Sequence, residues 1–539
     1  MSKTGKLRAL AVLAVSLLSL FFLVPVLSSF SSGSSPKKQQ QPTTETKEPA
    51  WQASKRPNIL LIVSEDHGPD LGCYGSADVK TPTLDDLAAR GIRFDRAFVT
   101  YPVCSPSRGS IFTGLYPHQN GQIGLATHKY RMYPGTKTLP AYLNEAGYRT
   151  GCIGKIHVNP ESDIPFGFRP PKKSPLLVGN FARKNLPEYT HLADSFFRQS
   201  NDPFFLMVNY PDAHFPWKHQ VNGMPAHPMS GEDLKSSLPF IGANSARLRS
   251  FIADYYNSIE RLDDMVRMLL DKLKASGKDS NTLIIFLADH GAEFSRGKFS
   301  NYESGLHVPM IIYWPGKTEH GGVRKELVSS IDLLPTILEA AKAKIPETLP
   351  GKPLQPLFEH TARRTWRKYI FAESEGSFPH AYYPRSSIRD ERYKLIHNLL
   401  YQRENPEFNL FARHLIEGFD GGTETEEIAA SGKIVQQAYA TWRNPPEFEL
   451  YDLEKDPYEF NNLSADKKYK AILDRLKNKL ADWQKETKDP LSDETLLKKF
   501  TAEVDAVTDS HPKMDDAKDT SFSWNYPEYF LQYIHEHSK

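Results

Sequence analysis

Cysteine is nearly absent from this 539-residue chain, which holds only Cys73, Cys104 and Cys152. So few thiols in so long a chain exclude a disulfide scaffold. An odd count also leaves at least one thiol unpaired, or consumed by other chemistry. Charge of one sign is lacking too: Lys and Arg number 67, Asp and Glu 65, for a formal net charge of +2. That balance gives no electrostatic footprint for nucleic acid, and local basic clusters mostly have acidic neighbours, as on a solvated surface. No internal repeat is present. What remains is 39% hydrophobic and 24% charged, the composition of a globular enzyme long enough for a large core and a second domain.

One long apolar run exists, from Ala9 to Leu27, preceded by Lys3, Lys6 and Arg8. A basic segment followed by an apolar one is an export signal. Its length approaches the roughly 20 residues that span a bilayer, so cleavage and retention as a membrane anchor both stay open, and the protein is expected outside the cytoplasm. Residues 1–30 are assigned to this signal. Residues 31–55 are polar and Pro-rich, without apolar periodicity, and read as a disordered linker.

From Arg56 the pattern is that of a folded domain. Arg56 to Ser64 is a short apolar run expected to form a buried parallel strand, followed at once by Glu65 and Asp66. A helix is expected from Thr81 to Gly91, with Pro near its start and Gly at its end. Strands are expected at Tyr148–Ile153, Phe204–Asn209, Thr282–Ala288 and Val308–Tyr313, and helices over Ser250–Ser276 and near Ile331–Lys344. This alternation predicts an α/β fold with a mainly parallel sheet flanked by helices over 56–365. Ligands in such sheets gather where strands end at their carboxyl edges. The strand at Thr282–Ala288 also ends in acid, at Asp289-His290.

Beyond Arg364 the pattern changes. Strands at Tyr369–Glu373, Tyr382–Arg389, Tyr393–Leu400 and Phe448–Leu453, with a charged amphipathic helix over Tyr469–Thr487, predict a smaller α+β domain over 366–490. Residues 491–539 form a polar extension with an aromatic stretch, Phe522–Tyr533, expected to dock against the rest.

The segment that carries chemistry is Cys104-Ser105-Pro106-Ser107-Arg108, leading to Thr113-Gly114. It places a thiol at the start of a helix with a guanidinium one turn later. Both the helix terminus and Arg108 stabilise an anion there, which suits a tetrahedral oxyanion. A bare thiol at this place reads equally as a buried cysteine at a loop–helix junction.

C-x-P-S-R followed by Thr-Gly resembles the signature of the formylglycine-dependent, type I sulfatases of the alkaline phosphatase superfamily. Leu71–Gly75, Thr81–Asp85, Phe94–Phe98 and Phe448–Leu463 are similar to that family in the same order, over about 56 to 491. Tyr116–Gly121, Gly154–Val158, Ser387–Arg389, Leu395–Leu399 and Trp483–Pro490 resemble its heparan N-sulfatase branch. The resemblance implies an alkaline-phosphatase-like fold and oxidation of Cys104 to formylglycine by the family's modifying machinery. Its hydrate would be the nucleophile for a sulfate ester or sulfamate of a sulfated saccharide. It implies one calcium or magnesium ion held by Glu65, Asp66, Cys104, Asp289 and His290. It assigns Arg108, Lys155, His157, His214 and Lys298 to sulfate binding and proton transfer, and points to His380, Tyr382 and Arg385 as substrate contacts. Two positions depart from the family pattern: Glu65 stands where many relatives have Asp, and His290 where many have Asn. Imidazole is a poorer ligand for calcium than an oxygen donor, which also admits a supporting role for His290. With Cys104 consumed, Cys73 and Cys152 remain either as a disulfide or as two thiols. The competing readings are a phosphate or phosphonate monoester hydrolase of the same superfamily, and a non-catalytic protein that binds sulfated glycans.

Overall fold

The central strand explains the rest of the architecture. All seven residues of β1 (Asn58–Ser64) are buried, as a strand covered on both faces requires. Ile59, Leu61 and Val63 enter one hydrophobic core while Leu60 and Ile62 enter another, the two-residue alternation of a strand. The computed structural model describes residues 56–170, 184, 186–359, 365–412, 419–513 and 522–538. The expected signal segment (1–30) and linker (31–55) lie outside the described residues, among which no helix is long and apolar enough to cross a membrane.

Around β1 stand β2 (Ile92–Phe94), β4 (Arg149–Gly154), β5 (Phe204–Asn209), β6 (Thr282–Ala288), β7 (Met310–Tyr313) and β8 (Gly322–Arg324), in the order β4-β5-β1-β6-β7-β2-β8. β4, β5, β1 and β6 are parallel, and β7 runs antiparallel to both of its neighbours. A small parallel pair, β3 (Ala97–Phe98) and β9 (Val328–Ser329), lies apart from this sheet. Helices Pro82–Arg90, Pro187–Arg198 and Ala246–Ala275 cover one face. Helices Cys104–Thr113 and Leu333–Ala340 cover the other. The fold is therefore α/β with a mainly parallel sheet, as the pattern predicts.

Boundaries shift for local reasons. The long helix starts at Ala246 rather than Ser250 because the Ser245 hydroxyl caps the Leu248 N–H. β7 starts at Met310 rather than Val308 because Pro309 has no N–H to give a ladder.

The smaller sheet is antiparallel, in the order β10 (Ile370–Ser374), β11 (Arg385–Arg389), β12 (Tyr393–Asn398), β13 (Phe448–Asp452). β11 begins at Arg385, three residues later than expected, after the tight turn Pro379–Ala381 and Pro384. Helix Lys470–Thr487 packs Leu476, Leu480 and Trp483 on one face of this sheet, against Ile388, Leu395 and Leu450. Ile396 and Tyr451 on the other face join Tyr101, Val103, Phe299 and Tyr302 of the larger sheet's loops. The extension is not simply polar. Asp493 caps a helix over Glu494–Ser510, and with helix Tyr526–Glu536 it packs Phe500, Val504, Trp524 and Tyr526 onto Ile123, Tyr130 and Tyr133.

Candidate active site

β1 and β6 are in register to their ends, Ser64 opposite Ala288. Whatever follows the two strands must therefore meet. Glu65 and Asp66 leave β1, Asp289 and His290 leave β6, and all four are fully buried. The Asp66 N–H donates to Asp289 Oδ1 at 3.1 Å, and the Asp289 N–H to the Ser64 carbonyl at 3.0 Å. Asp66 adopts a left-handed φ of 54°, a conformation that non-glycine residues hold at a cost and that concentrates at functional sites.

The helix that begins at Cys104 abuts this edge. Cys104 Sγ lies 3.3 Å from His290 Nε2, and the Ser107 hydroxyl donates to the Asp289 carbonyl. One turn on, Arg108 is wholly buried and joins four groups. It donates to Asp289 Oδ2 (3.0 Å), Asn209 Oδ1 (2.7 Å), Glu65 Oε1 (3.1 Å) and the Lys155 carbonyl (3.3 Å). Glu65 Oε2 accepts from Lys155 Nζ at 2.8 Å, so both Glu65 oxygens answer cations of the site. Gly154, at φ 90°, ends β4 where a Cβ would strike the Asn209 carbonyl, and it turns the chain to deliver Lys155.

The far side is made by His157, His214 and Lys298. Lys298 Nζ binds Asp66 Oδ2 at 2.6 Å and Glu293 Oε2 at 2.8 Å. His214 Nε2 stands 3.9 Å from the same Asp66 oxygen, while its Nδ1 meets the Phe215 carbonyl at 2.5 Å. His214 is about a quarter exposed and Lys155 about an eighth, whereas Arg108, Asp66 and Asp289 are sealed. The site thus has a closed wall and an open side. His157, also at a left-handed φ of 57°, has two buried ring nitrogens that make no hydrogen bond. Buried polar atoms without partners are rare and call for a ligand or a water.

Electrostatics follow from this crowding. Burial alone would raise Asp66, but His214, Lys298 and His290 outweigh it and hold the carboxyl well below its usual range. Burial would likewise raise Asp289, which His290 and Arg108 keep ionised. Burial would lower His290, yet Asp289, Asp66 and Cys104 push it up to about 9. His157 is driven well below the normal imidazole value by burial and then by Lys155 and Arg108, so its ring is neutral. Burial and nearby cations likewise lower His214 against the pull of Asp66.

The residues fit a divalent cation. Side-chain ligand atoms of Asp66, Cys104, Asp289 and His290 lie within 4.8 Å of one another, as do those of Glu65, Asp66, Cys104 and His214. Asp66 Oδ1 accepts no hydrogen bond although buried, with His290 Nε2 3.2 Å away. A cluster rich in carboxylate oxygen, with Asp66 Oδ1 facing only the His290 ring, is donor chemistry suited to calcium or magnesium.

Of the residues expected from sequence, Glu65, Asp66, Cys104, Arg108, Lys155, His214, Asp289, His290 and Lys298 are linked in this one contact network. Tyr382 and Arg385 are committed elsewhere. The Tyr382 hydroxyl is 3.0 Å from Thr501 Oγ1, with its ring edge-on to Phe500, and buried Arg385 pairs with Glu407 Oε1 at 2.5 Å. Their polar groups are spent on the packing of the smaller sheet and the C-terminal helices. His380 lies in the same Pro379–Ala381 turn and is half-buried. Cys73 and Cys152 are both free thiols. Two site residues were missed in the sequence. Asn209 was legible, since it ends β5 at the same carboxyl edge. Glu293 carried no motif.

Comparison with known proteins agrees with this geometry. The family model described as Sulfatase matches residues 57–343, and that described as N-sulphoglucosamine sulphohydrolase, C-terminal, matches residues 294–415. The N-sulphoglucosamine sulphohydrolase of Homo sapiens is 31% identical, covering 80% of this chain and 91% of the relative. An ulvan-active sulfatase of Formosa agariphila is 30% identical, covering 85% and 86%. Among solved structures, BT4656 in complex with its substrate D-glucosamine-2-N,6-O-disulfate superposes with a TM-score of 0.61 at 21% identity, covering 81% of this chain and 99% of that one. A phosphonate monoester hydrolase from Silicibacter pomeroyi superposes with a TM-score of 0.59 at 20% identity, covering 80% and 96%. At that identity the two structures attest the fold.

Proposed function

The chain belongs to the sulfatase family of sulfate ester hydrolases, and from that premise we propose that it removes sulfate from a sulfated saccharide, with glucosamine N-sulfate the first substrate to test. The observation that carries this reading is the placement of Cys104. It is a buried thiol at a helix start, 3.3 Å from His290, on an edge where Arg108 binds Asp289 and Glu65. Oxidised to formylglycine, residue 104 would offer a hydrated aldehyde whose paired hydroxyls supply both the nucleophile and a route for releasing sulfate, which a plain serine lacks. A calcium or magnesium ion held by Asp66, Asp289, His290 and the side chain of residue 104, with Glu65 alongside, would lower the pKa of that nucleophile and neutralise the sulfuryl oxygens.

The protein's own residues do the rest. Arg108, anchored by four bonds, keeps the two acidic strand ends together and its charge beside the nucleophile. Lys155, paired with Glu65, and Lys298, paired with Asp66, supply the ammonium groups for a monoanionic sulfate group. Water is added across the bond that breaks, its hydroxyl to sulfur and its hydrogen to the departing oxygen or nitrogen. Lys298, whose ammonium carries the available proton, stands on the side from which that hydrogen is delivered, while the Nδ1–H of His214 is held by the Phe215 carbonyl so that Nε2 faces the site as an acceptor. A saccharide substrate is supported by the named substrates of the relatives and by the C-terminal match. The basic, then apolar, N-terminal segment supports export, where such polymers are met.

The test is a panel of glucosamine N-sulfate, glucosamine 6-O-sulfate, an aryl sulfate and an aryl phosphate. Sulfate release from a saccharide, with the phosphate slow, is the expected result. Preference for the phosphate would make the protein a phosphomonoesterase. Binding of the sulfated sugars without turnover, with the thiol of Cys104 intact, would make it a glycan-binding protein.

A further inference from the structure

Glu293 lies four residues after Asp289, in a loop with no family motif of its own, yet its carboxyl reaches the site. The loop is built to hold it there. The Lys298 N–H donates to the Ala292 carbonyl at 2.8 Å and the Gly297 N–H to the Phe294 carbonyl at 2.9 Å, which brings residues 293 and 298 to one side of a tight coil. A Cβ at Gly297 would strike the Ala292 carbonyl, so the coil closes only with glycine there. Phe294 is stacked on Trp217 with ring centroids 4.6 Å apart. Trp217 donates its indole N–H to the Ala213 carbonyl at 2.8 Å, next to His214. The two loops that carry Glu293 and His214 are therefore locked face to face by one aromatic pair.

The product is a closed ring of four side chains. Lys298 Nζ is 2.6 Å from Asp66 Oδ2 and 2.8 Å from Glu293 Oε2. His214 Nε2 is 3.9 Å from that Asp66 oxygen and 4.0 Å from that Glu293 oxygen. Lys298 has two anchors, and they are not equivalent. Asp66 is one of the carboxylates that would hold the divalent cation, and a doubly charged ion competes with an ammonium group for the same oxygens. Glu293 lies outside both ligand groups described above. It is thus the anchor that stays with Lys298 when Asp66 turns to the ion.

We propose that Glu293 is a positioning residue for the leaving-group side of the site, holding the Lys298 ammonium beside His214 so that proton delivery to the departing atom depends on it. This rests on the sulfatase reading of the site. A proton matters most to a leaving group that is a strong base, such as a sugar hydroxyl, and least to a nitrophenolate that departs without help. The carboxyl of Glu293 therefore acts selectively, on slow leaving groups rather than on sulfur attack itself.

The full-length, ion-loaded enzyme tests this with Glu293→Ala and Glu293→Gln, assayed on nitrophenyl sulfate and on glucosamine 6-O-sulfate. Glu293→Ala should lose about 100-fold in kcat/KM on the sugar sulfate and no more than about threefold on nitrophenyl sulfate. Glu293→Gln keeps an oxygen for Lys298 and should recover most of the loss. A crystal structure of Glu293→Ala should show Lys298 Nζ displaced from His214. Equal losses on both substrates, or Lys298 unmoved, would overturn the proposal. If the wild-type enzyme released sulfate from neither probe nor from glucosamine N-sulfate, the sulfatase reading would fall, and the position of Lys298 in the variant would still decide what Glu293 holds.

Discussion

Two of the clusters of buried charge among the described residues are built differently. At the junction of the two sheets, His118 Nδ1 pairs with Glu373 Oε2 at 2.6 Å, the His118 N–H binds the other Glu373 oxygen, and Asp489 and Glu375 lie near. All four are buried, and Trp483 and Tyr116 cover the imidazole with ring centroids 5.4 and 6.0 Å away. The candidate active-site cluster is as buried on one wall. It opens, however, through His214 and Lys155 and holds two non-glycine residues, Asp66 and His157, at left-handed φ. Burial of charge alone does not mark a site. A buried charge beside an opening, with backbone strain retained, does.

This contrast separates activity from stability, and substitutions should divide along it. The largest effect is expected from Cys104→Ala, which should lower sulfate release by on the order of 10⁵-fold while leaving the urea midpoint near that of the wild type, because only one small side chain is exchanged. Survival of appreciable turnover would break the division. Next comes Asp289→Ala, which should lose bound metal, measured by elemental analysis, together with about 10³-fold of activity. A metal-free variant with full activity would assign the ion a structural role.

The junction should behave in the opposite way. Glu373→Ala leaves His118 buried without its carboxylate and should cost about 3–5 kcal/mol of stability in urea unfolding, with kcat of the folded fraction unchanged. Arg385→Ala, which strands Glu407, should do the same, and it should affect a saccharide and an aryl sulfate equally. A rise in KM for the saccharide alone would return Arg385 to the substrate.

The smallest effect concerns pH. Burial would lower His118, but Glu373 outweighs it and raises the imidazole above its usual 6.5. A raised folded-state value means that the stabilisation is complete below about pH 6.5 and is lost as the pH rises through the folded value. The stability difference between wild type and His118→Gln should therefore be largest below about pH 6.5 and shrink as the pH rises above it. A difference that grows with pH would contradict the assignment.

The acidic ends of β1 and β6 and the Cys104–Arg108 helix start are legible locally, whereas the ligand set and Lys155, His157, His214 and Lys298 came from the resemblance to the sulfatase signature. Glu65-Asp66 and Asp289-His290 follow runs of buried residues whose register the parallel sheet enforces, and Cys104 opens a helix whose geometry fixes Arg108. Sequence reading reached less of what depends on side chains far apart in the chain. His118 and Tyr382 fall in segments with chemistry-bearing residues, yet their partners Glu373 and Thr501 are about 255 and 119 positions away, and no local pattern announces them. Glu293 escaped for a related reason: its role comes from a coil closed by Gly297 and a stack between Phe294 and Trp217. The helix Glu494–Ser510 was hidden by its charged outer face, although Asp493 and the spacing of Phe500, Val504 and Val507 were there to be read.

Activity turns on the chemical identity of residue 104. The decisive measurement is peptide mass spectrometry across Cys104–Thr113 in enzyme made alongside the formylglycine-generating machinery, compared with enzyme made without it. The account predicts an aldehyde in place of the thiol in the first sample, a thiol in the second, and sulfate release proportional to the aldehyde fraction. Full turnover from a sample whose residue 104 is entirely thiol would contradict it.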